Sequence, residues 1–522
     1  MLFTHLNSIP ISIMEARNFC SSKEMIDSGN WLVPTLNAEP RFEKPPLPTW
    51  ITACFGLIFG LDTVFFLRVP VILMVLFSGL FIYLFVKKLG LSKENCFQTT
   101  LIFLTSFYVF AIALEAPWDI YAYGFTVAAI YYLFIFFTSD HFNWKSGLAA
   151  TFLLGLSILS KGPVSLYTML LPFLISYGFI YGFKKGRNYY ISYIFILSMA
   201  ILIGGWWYVY IRLHNPVEFS ASVTQESSSW STKYVQPFYF YWNFVLQSGV
   251  WALPASITLL YPYMIRRVEH KKIYQFTFLW VIIGVLLISI IPEKKARYVV
   301  PILFPLAINI GIYLNYLLKN FQKTTLKKNT YPVYFSFGII GLISISIPLI
   351  IFFLYYEAIA EFIFLYILLT ICFFLIGILI FVNLYKKRMI TVFYSSFFLM
   401  SSFLLLVPPI AMILDKNSAY KSMTEIHSFE KKYNVSTFSC GDLSPELLWD
   451  YKGIIKNIVV NNIIKLPSQN KFGILITEKD RLLLPKYFDK NYTIQYVETY
   501  DLNLSSKTRQ RLVQQLYLIS KN

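Results

Sequence analysis

Charge is scarce in this chain: only 14% of its 522 residues are Asp, Glu, Lys or Arg, against roughly 25% in soluble domains. A mean hydropathy of +0.57 points the same way, because too little polar side chain remains to cover a water-soluble fold of this length. Cys20, Cys54, Cys96, Cys372 and Cys440 are scattered, odd in number and form no C-x-x-C pair, which argues against a disulfide framework and a zinc cluster. The opening MLFTHLNSIPISIMEARNF lacks the basic region and long apolar run of a signal peptide. Internal repeats and low-complexity linkers are absent as well.

Apolar bulk is what the chain has instead: 57% hydrophobic residues, with 49 Phe and 38 Tyr, a content suited to lipid-facing helices with ring-bearing interfacial ends. A bilayer core needs about 20 apolar residues per helix, since no water is there to satisfy a bare backbone. Such stretches lie near 65–86, 97–114, 120–138, 147–160, 164–182, 190–211, 247–265, 273–291, 299–318, 331–355, 360–383 and 390–413. The expected architecture is an α-helical polytopic membrane domain of about twelve helices over 65–414. The net charge of +18 would bring nucleic acid into consideration for a soluble protein, but here it implies no such partner. Its cations sit in alternate loops: Lys87, Lys88 and Lys93; Lys145; Lys184, Lys185 and Arg187; Arg266, Arg267, Lys271 and Lys272; Lys319, Lys323, Lys327 and Lys328; Lys386, Lys387 and Arg388. The positive-inside tendency places these loops in the cytoplasm. Residues 1–64, the loops 115–119, 161–163, 212–246 and 292–298, and the tail 415–522 then face outward. An outward N-terminus with nothing to carry it there leads to the expectation that a first membrane helix is missing from this chain.

The tail is polar and mixed. Strand-like runs at Ser436–Cys440, Ile458–Val460, Phe472–Thr477 and Thr493–Glu498, with helical patterns near 418–432 and 505–519, predict a small outer α/β domain.

The outward segments hold the residues able to do chemistry. In the N-terminal segment, Ala16–Ser28 predicts a short amphipathic helix, and Asn37–Pro48 is too rich in proline for a long one. There Glu43 and Lys44 stand side by side before two prolines, either as a functional pair or as a snorkelling anchor. Glu115 and Asp119 sit at the outer ends of consecutive spans, where acids are costly and tend to be functional, although Asp119 also suits a helix cap. Lys294, Lys295 and Arg297 put three cations on the side the charge rule disfavours, which suits an anionic ligand such as a lipid phosphate, or anionic headgroups. Lys161, alone between two apolar spans, either joins that phosphate or breaks a hairpin. His214 and Glu226 are the candidate ligands of the long loop 212–246, and a lone loop His is most often just solvated.

Glu15–Ala16–Arg17, Asn30–Trp31–Leu32–Val33–Pro34 and Phe42–Glu43–Lys44–Pro45–Pro46–Leu47 resemble the first outer loop of the lipid A aminoarabinose transferase and protein O-mannosyltransferase-like family (glycosyltransferase families 39 and 83). Lys161–Gly162–Pro163, Trp206–Trp207–Tyr208 and Lys295–Ala296–Arg297–Tyr298–Val299–Val300–Pro301 follow in the order of further family landmarks. The resemblance implies the glycosyltransferase C (GT-C) fold and a bacterial plasma (inner) membrane enzyme of cell-envelope glycan modification. Its donor would be a polyprenyl-phosphate-linked sugar, and its acceptor lipid A, another glycan or lipid, or a protein. It implies catalytic roles around the reaction centre for Glu15, Glu43 and Asp119. Lys44, Lys161, Lys294, Lys295 and Arg297 would hold the donor phosphate, and Arg17, Trp118, Glu226 and Tyr298 would line the substrate cavity. Two positions depart from the family. Met14–Glu15 stands where many members have Asp-Glu. Glu226 is followed by Ser227 where the aminoarabinose enzymes have a Glu-His pair near a bound metal, so no resident metal is assigned and a divalent cation is left open. The competing readings are a polyprenyl-linked lipid transporter or flippase, which usually carries charge at mid-membrane and inverted repeats, and a membrane-anchored assembly or sensor protein working through its tail.

Overall fold

A computed structural model describes residues 2–115, 117–460, 463–488, 491–505 and 509–522. Ala116, part of the second acidic outer turn, and residues 506–508, within the helix expected at 505–519, lie outside the described residues.

The N-terminal segment opens with α1 (Ile13–Ser28), the expected interfacial helix. A capping box starts it: Ser12 Oγ accepts from Glu15 N–H at 3.2 Å, and Ser12 N–H donates to the Glu15 carboxylate at 3.0 Å. Two short strands, β1 (Thr35–Leu36) and β2 (Glu39–Pro40), pair across Asn37 and Ala38, which both have positive φ. A second helix, α2 (Leu47–Phe59), follows within the outer segment 1–64. Proline is well tolerated in the first helical turn, so Pro46–Leu47–Pro48 starts this helix rather than breaking one.

The membrane domain runs through α3 (Val64–Lys88), α4 (Lys93–Leu104), α5 (Phe107–Glu115), α6 (Pro117–Thr138), α7 (Trp144–Lys161), α8 (Leu171–Ile180) and α9 (Arg187–His214). The next helix, α10 (Pro216–Thr232), occupies much of the segment expected to be a long outer loop. Beyond it come α11 (Ala252–Thr258), α12 (Tyr261–Met264), α13 (Lys271–Ile290), α14 (Val300–Asn320), α15 (Lys327–Tyr355), α16 (Ile363–Tyr385) and α17 (Met389–Leu414). Among the described residues, seven helical segments are long and apolar enough to cross a membrane, or eight if α4 and α5, bent by 49°, form one span. One of those segments, Lys327–Tyr385, is a hairpin of two helices. Ser344 Oγ donates to Phe373 O at 2.7 Å, and Tyr366 OH to Pro348 O at 3.2 Å. Of the remaining expected spans, 147–160 forms the unbroken α7, and the others are shorter or interrupted. The stretch 247–265 is divided into a 3-10 turn, α11 and α12, and its Gly249 has φ 63°.

Burial grades the helices from enclosed to exposed, with α3 and α13 between the extremes at 61% and 56%. The apolar windows of α6 and of Ala296–Lys323, which contains α14, are 83% and 94% buried, whereas those of α9, of α15–α16 and of α17 are each 28% buried. The former form the core and the latter face lipid. Asp119 and Arg297 therefore sit at the ends of the most enclosed helices.

The tail folds as a small α/β domain. Its sheet has the order β3 (Thr437–Ser439), β6 (Lys471–Ile476), β8 (Val513–Lys521), β7 (Tyr492–Asp501), with β3 parallel to β6 and the other pairs antiparallel. A separate hairpin joins β4 (Val459–Val460) to β5 (Ile463–Ile464). Helices α18 (Ile426–Tyr433), α19 (Pro445–Tyr451) and α20 (Leu484–Tyr487) complete it. The helix expected over 505–519 is instead the central strand β8. Apolar residues in Leu516–Tyr517–Leu518–Ile519 are buried on both faces, and such a short run carries no period that separates strand from helix. The domain is seated on the N-terminal segment: Phe19 and Trp449 have ring centroids 5.3 Å apart, and Asn37 exchanges hydrogen bonds with the Ile455 backbone at 2.7 and 2.9 Å. The chain is thus an α-helical polytopic membrane protein with a small C-terminal α/β domain.

Candidate active site

Asp119 is placed by Pro117, which fixes the first turn of α6, and its side chain is fully buried. Oδ1 accepts from the Lys161 ammonium and lies 3.4 Å from the Tyr123 hydroxyl. Oδ2 lies 3.5 Å from Arg297 Nε and has no aligned hydrogen bond among the described residues, so one carboxylate oxygen stays available for another donor. Two cations and one carboxylate leave the cluster net positive, in a setting where little water screens it.

Lys161 is the last residue of α7, and Gly162 turns the chain away from it with φ 75° and ψ −159°. A Cβ at position 162 would also stand 3.1 Å from the Tyr208 hydroxyl, so glycine is needed here on both counts. Pro163 leads into a π-helical turn, Leu166–Leu170, a geometry frequent at functional sites. The Lys161 ammonium lies 5.1 Å from the ring centre of Tyr298, which with Arg297 forms part of a 3-10 turn before α14.

A half-open cavity of ≈ 510 Å³ adjoins this cluster. Six of the residues singled out in the sequence line it: Lys44, Lys161, Glu226, Lys295, Arg297 and Tyr298. Val164, Tyr167, Ile290 and Ile291 form its apolar wall. Lys44 is paired with Glu226 of α10, and both line the cavity. Lys295 pairs with Glu293 at 2.5 Å, and its backbone N–H donates to the Tyr241 hydroxyl at 2.9 Å. Burial pushes the pKa of the Tyr241 phenol above its ordinary value.

The other expected residues lie around the cavity rather than in its wall. Glu43 pairs with Arg41 at 3.0 Å, and the Arg41 guanidinium sits 5.0 Å from the Trp118 ring centre. Burial lowers the pKa of Arg41, and Glu43 opposes that shift. Trp118 is buried beside Asp119, and its indole N–H has no hydrogen-bond partner among the described residues. Lys294 folds back on the end of α13 and donates to Ser289 O at 2.8 Å; burial lowers its pKa. Arg17 reaches along α1 to Met14 Sδ at 3.8 Å. Glu15 is held by Arg68 in a two-point contact of 2.8 and 3.0 Å, with both side chains almost fully buried. Arg68 had no role in the sequence reading, because one arginine near the start of a long apolar run is read as part of the span.

Glu226 and His214, the candidate ligands of the long loop, have separate partners. Glu226 engages Lys44, while His214 stacks on Tyr210 at 4.1 Å and shares a hydrogen bond with the Tyr210 carbonyl. No group of three His, Cys, Asp or Glu side chains among the described residues could hold a metal ion.

Comparison with known proteins adds sequence and fold similarity. Residues 43–207 match the family model described as dolichyl-phosphate-mannose-protein mannosyltransferase. An undecaprenyl phosphate-alpha-4-amino-4-deoxy-L-arabinose arabinosyl transferase of Proteus mirabilis is 26% identical over 345 residues, covering 62% of this chain and 59% of its own length. The corresponding transferase of Wigglesworthia glossinidia brevipalpis is 27% identical over 318 residues, covering 59% and 54%. The chain therefore spans between 54% and 59% of the length of these relatives. Among solved structures, ArnT from Cupriavidus metallidurans bound to undecaprenyl phosphate aligns over 99% of this chain and 95% of its own, with a TM-score of 0.68 at 14% identity. The chain has the GT-C fold of that protein.

Proposed function

We propose that this chain is a membrane glycosyltransferase. It moves a sugar from a polyprenyl-phosphate donor to an acceptor hydroxyl at the outer face of a bacterial inner membrane. The observation that carries this reading is the buried Asp119 held between Lys161 and Arg297, two cations that line the polar side of a cavity whose other wall is apolar. A polyprenyl phosphate has that same two-part chemistry. The names of the arabinosyl transferase relatives, and the undecaprenyl phosphate bound to ArnT, support the donor class. The alternation of basic loops supports an outward-facing site.

In this reading Lys44, Lys161 and Arg297 bind the donor phosphate, and the isoprenoid follows Val164, Tyr167, Ile290 and Ile291. An acceptor oxygen attacks the anomeric carbon as the bond from that carbon to the phosphate oxygen breaks. The acceptor proton passes to Asp119, and polyprenyl phosphate leaves with the electron pair of the broken bond. Phosphate is already a competent leaving group, so fixed positive charge on the departing oxygens is what lowers the barrier. Before donor binding, Asp119 neutralises the same cations. The arriving phosphate draws Lys161 and Arg297 away from it, which leaves both carboxylate oxygens open to the acceptor hydroxyl. Glu15 and Arg68 tie the start of α1, and the residues just before it, to α3. The acceptor is lipid A, another envelope glycan or lipid, or a protein.

The test is mass spectrometry of polyprenyl-phosphate lipids and surface glycans from cells with and without the gene. Accumulation of one sugar-charged lipid, with loss of the same sugar from one glycan, is expected. Unchanged pools in cells shown to express the protein contradict the proposal.

A further inference from the structure

A second cavity lies at the other end of the membrane domain, away from Asp119. Its volume is ≈ 340 Å³, and its lining comes from α6 (Leu133, Phe137), α7 (Leu154), α8 (Leu174) and α9 (Tyr193, Ile196), among other apolar and aromatic residues. The path of the chain fixes its position: α6 leaves Asp119 and ends at Thr138, and α9 begins at Arg187. Phe183 and Tyr190 both line the cavity, and the chain between them contains Lys184, Lys185 and Arg187. That basic loop is fastened at the cavity's edge. The Tyr193 hydroxyl donates to the Lys184 carbonyl at 3.1 Å, and the Lys184 ammonium donates to the Ser139 carbonyl after α6. Lys185 and Arg187 are exposed.

Topology alone accounts for cations in this loop. It does not account for an apolar cavity directly beside them, open among four helices of the membrane domain. Apolar interior below and paired cations at the interface above match one ligand, a phospholipid of net negative charge. We propose that this cavity binds an acyl chain of an anionic phospholipid whose phosphate rests against Lys185 and Arg187. The site is independent of the sugar-transfer centre and belongs to the opposite leaflet.

The experiment is native mass spectrometry of the purified full chain, offered phosphatidylglycerol and phosphatidylcholine with identical acyl chains. A basic residue near a membrane surface contributes about 1 kcal/mol toward an anionic lipid, or about fivefold. Wild type is therefore expected to retain phosphatidylglycerol at least about fivefold over phosphatidylcholine. The surface variant Lys185→Gln/Arg187→Gln is expected to bring that ratio near unity. Leu197→Trp, at a half-exposed lining position, is expected to reduce retention of both lipids. Equal retention of the two lipids by wild type overturns the proposal. So does undiminished preference in the Lys185→Gln/Arg187→Gln variant, which places the lipid elsewhere.

Discussion

The Asp119 carboxylate meets the Lys161 ammonium in a buried ion pair that joins the start of α6 to the end of α7, 42 residues later in the chain. Removing one partner of such a pair leaves an uncompensated buried charge, at a cost of about 3–5 kcal/mol. Asp119→Asn is therefore expected to lower both thermal stability and turnover. The double variant Asp119→Asn/Lys161→Met removes the pair but leaves Arg297 without its carboxylate, and is expected to recover part of the stability and none of the turnover. Thermal unfolding and a transfer assay on the same samples separate the two effects. Recovered turnover in the double variant would leave Asp119 with a structural role only.

Lys44 and Glu226 make opposite predictions, since the donor phosphate and the Glu226 carboxylate compete for one ammonium. A charge-assisted contact is worth about 1.5–3 kcal/mol, so Lys44→Ala should weaken donor binding by about tenfold to a hundredfold. Glu226→Gln should tighten it. Titration with undecaprenyl phosphate reads both, and a shift in the same direction for the two variants would contradict the competition.

Glu15 and Arg68 are expected to behave as a structural pair. Glu15→Gln should cost stability on the scale of a broken buried ion pair, about 3–5 kcal/mol. Its turnover per folded molecule should change far less than that of Asp119→Asn. Fluorescence-detected thermal unfolding with activity normalised to folded protein checks this, and full stability with lost activity would move Glu15 into the chemistry.

Gly162→Ala tests how Lys161 is positioned. Its φ and ψ fall in a region essentially reserved for glycine, which costs a side-chain-bearing residue about 1–3 kcal/mol. Turnover should fall because the backbone next to Lys161 must shift. Tyr208→Phe, which removes the hydroxyl facing that position, should recover only the steric part of the loss.

Much of this centre is legible in sequence because charge is so sparse. Lys161 stands alone between two apolar runs, and Asp119 and Arg297 lie in short charged turns at the ends of such runs, where a charge needs a reason to be present. Hydropathy carries no information about partners, so the pairing of Lys44 with Glu226, and of Glu15 with Arg68, becomes visible only in three dimensions. Pro46 and Pro48 read as helix breakers and yet frame a helix start, since proline is disfavoured inside a helix and tolerated in its first turn. The polar segment Pro216–Thr232 gives no apolar stripe, so its helix α10 has no periodicity to announce it. The residues of β8 carry a helix-like local pattern, and tertiary pairing with β6 and β7 decides their strand.

The most direct measurement is release of polyprenyl phosphate in vitro. The donor is the sugar-charged lipid extracted from cells that lack the gene, offered with membranes of the same cells to purified wild type and to Asp119→Asn. Wild type should release polyprenyl phosphate in step with sugar appearing on the acceptor. The variant should be slower by about a hundredfold or more, the usual contribution of a positioned general base. Equal release by the two proteins, or release with no sugar transferred, would contradict the assignment of this centre as a glycosyl transfer site.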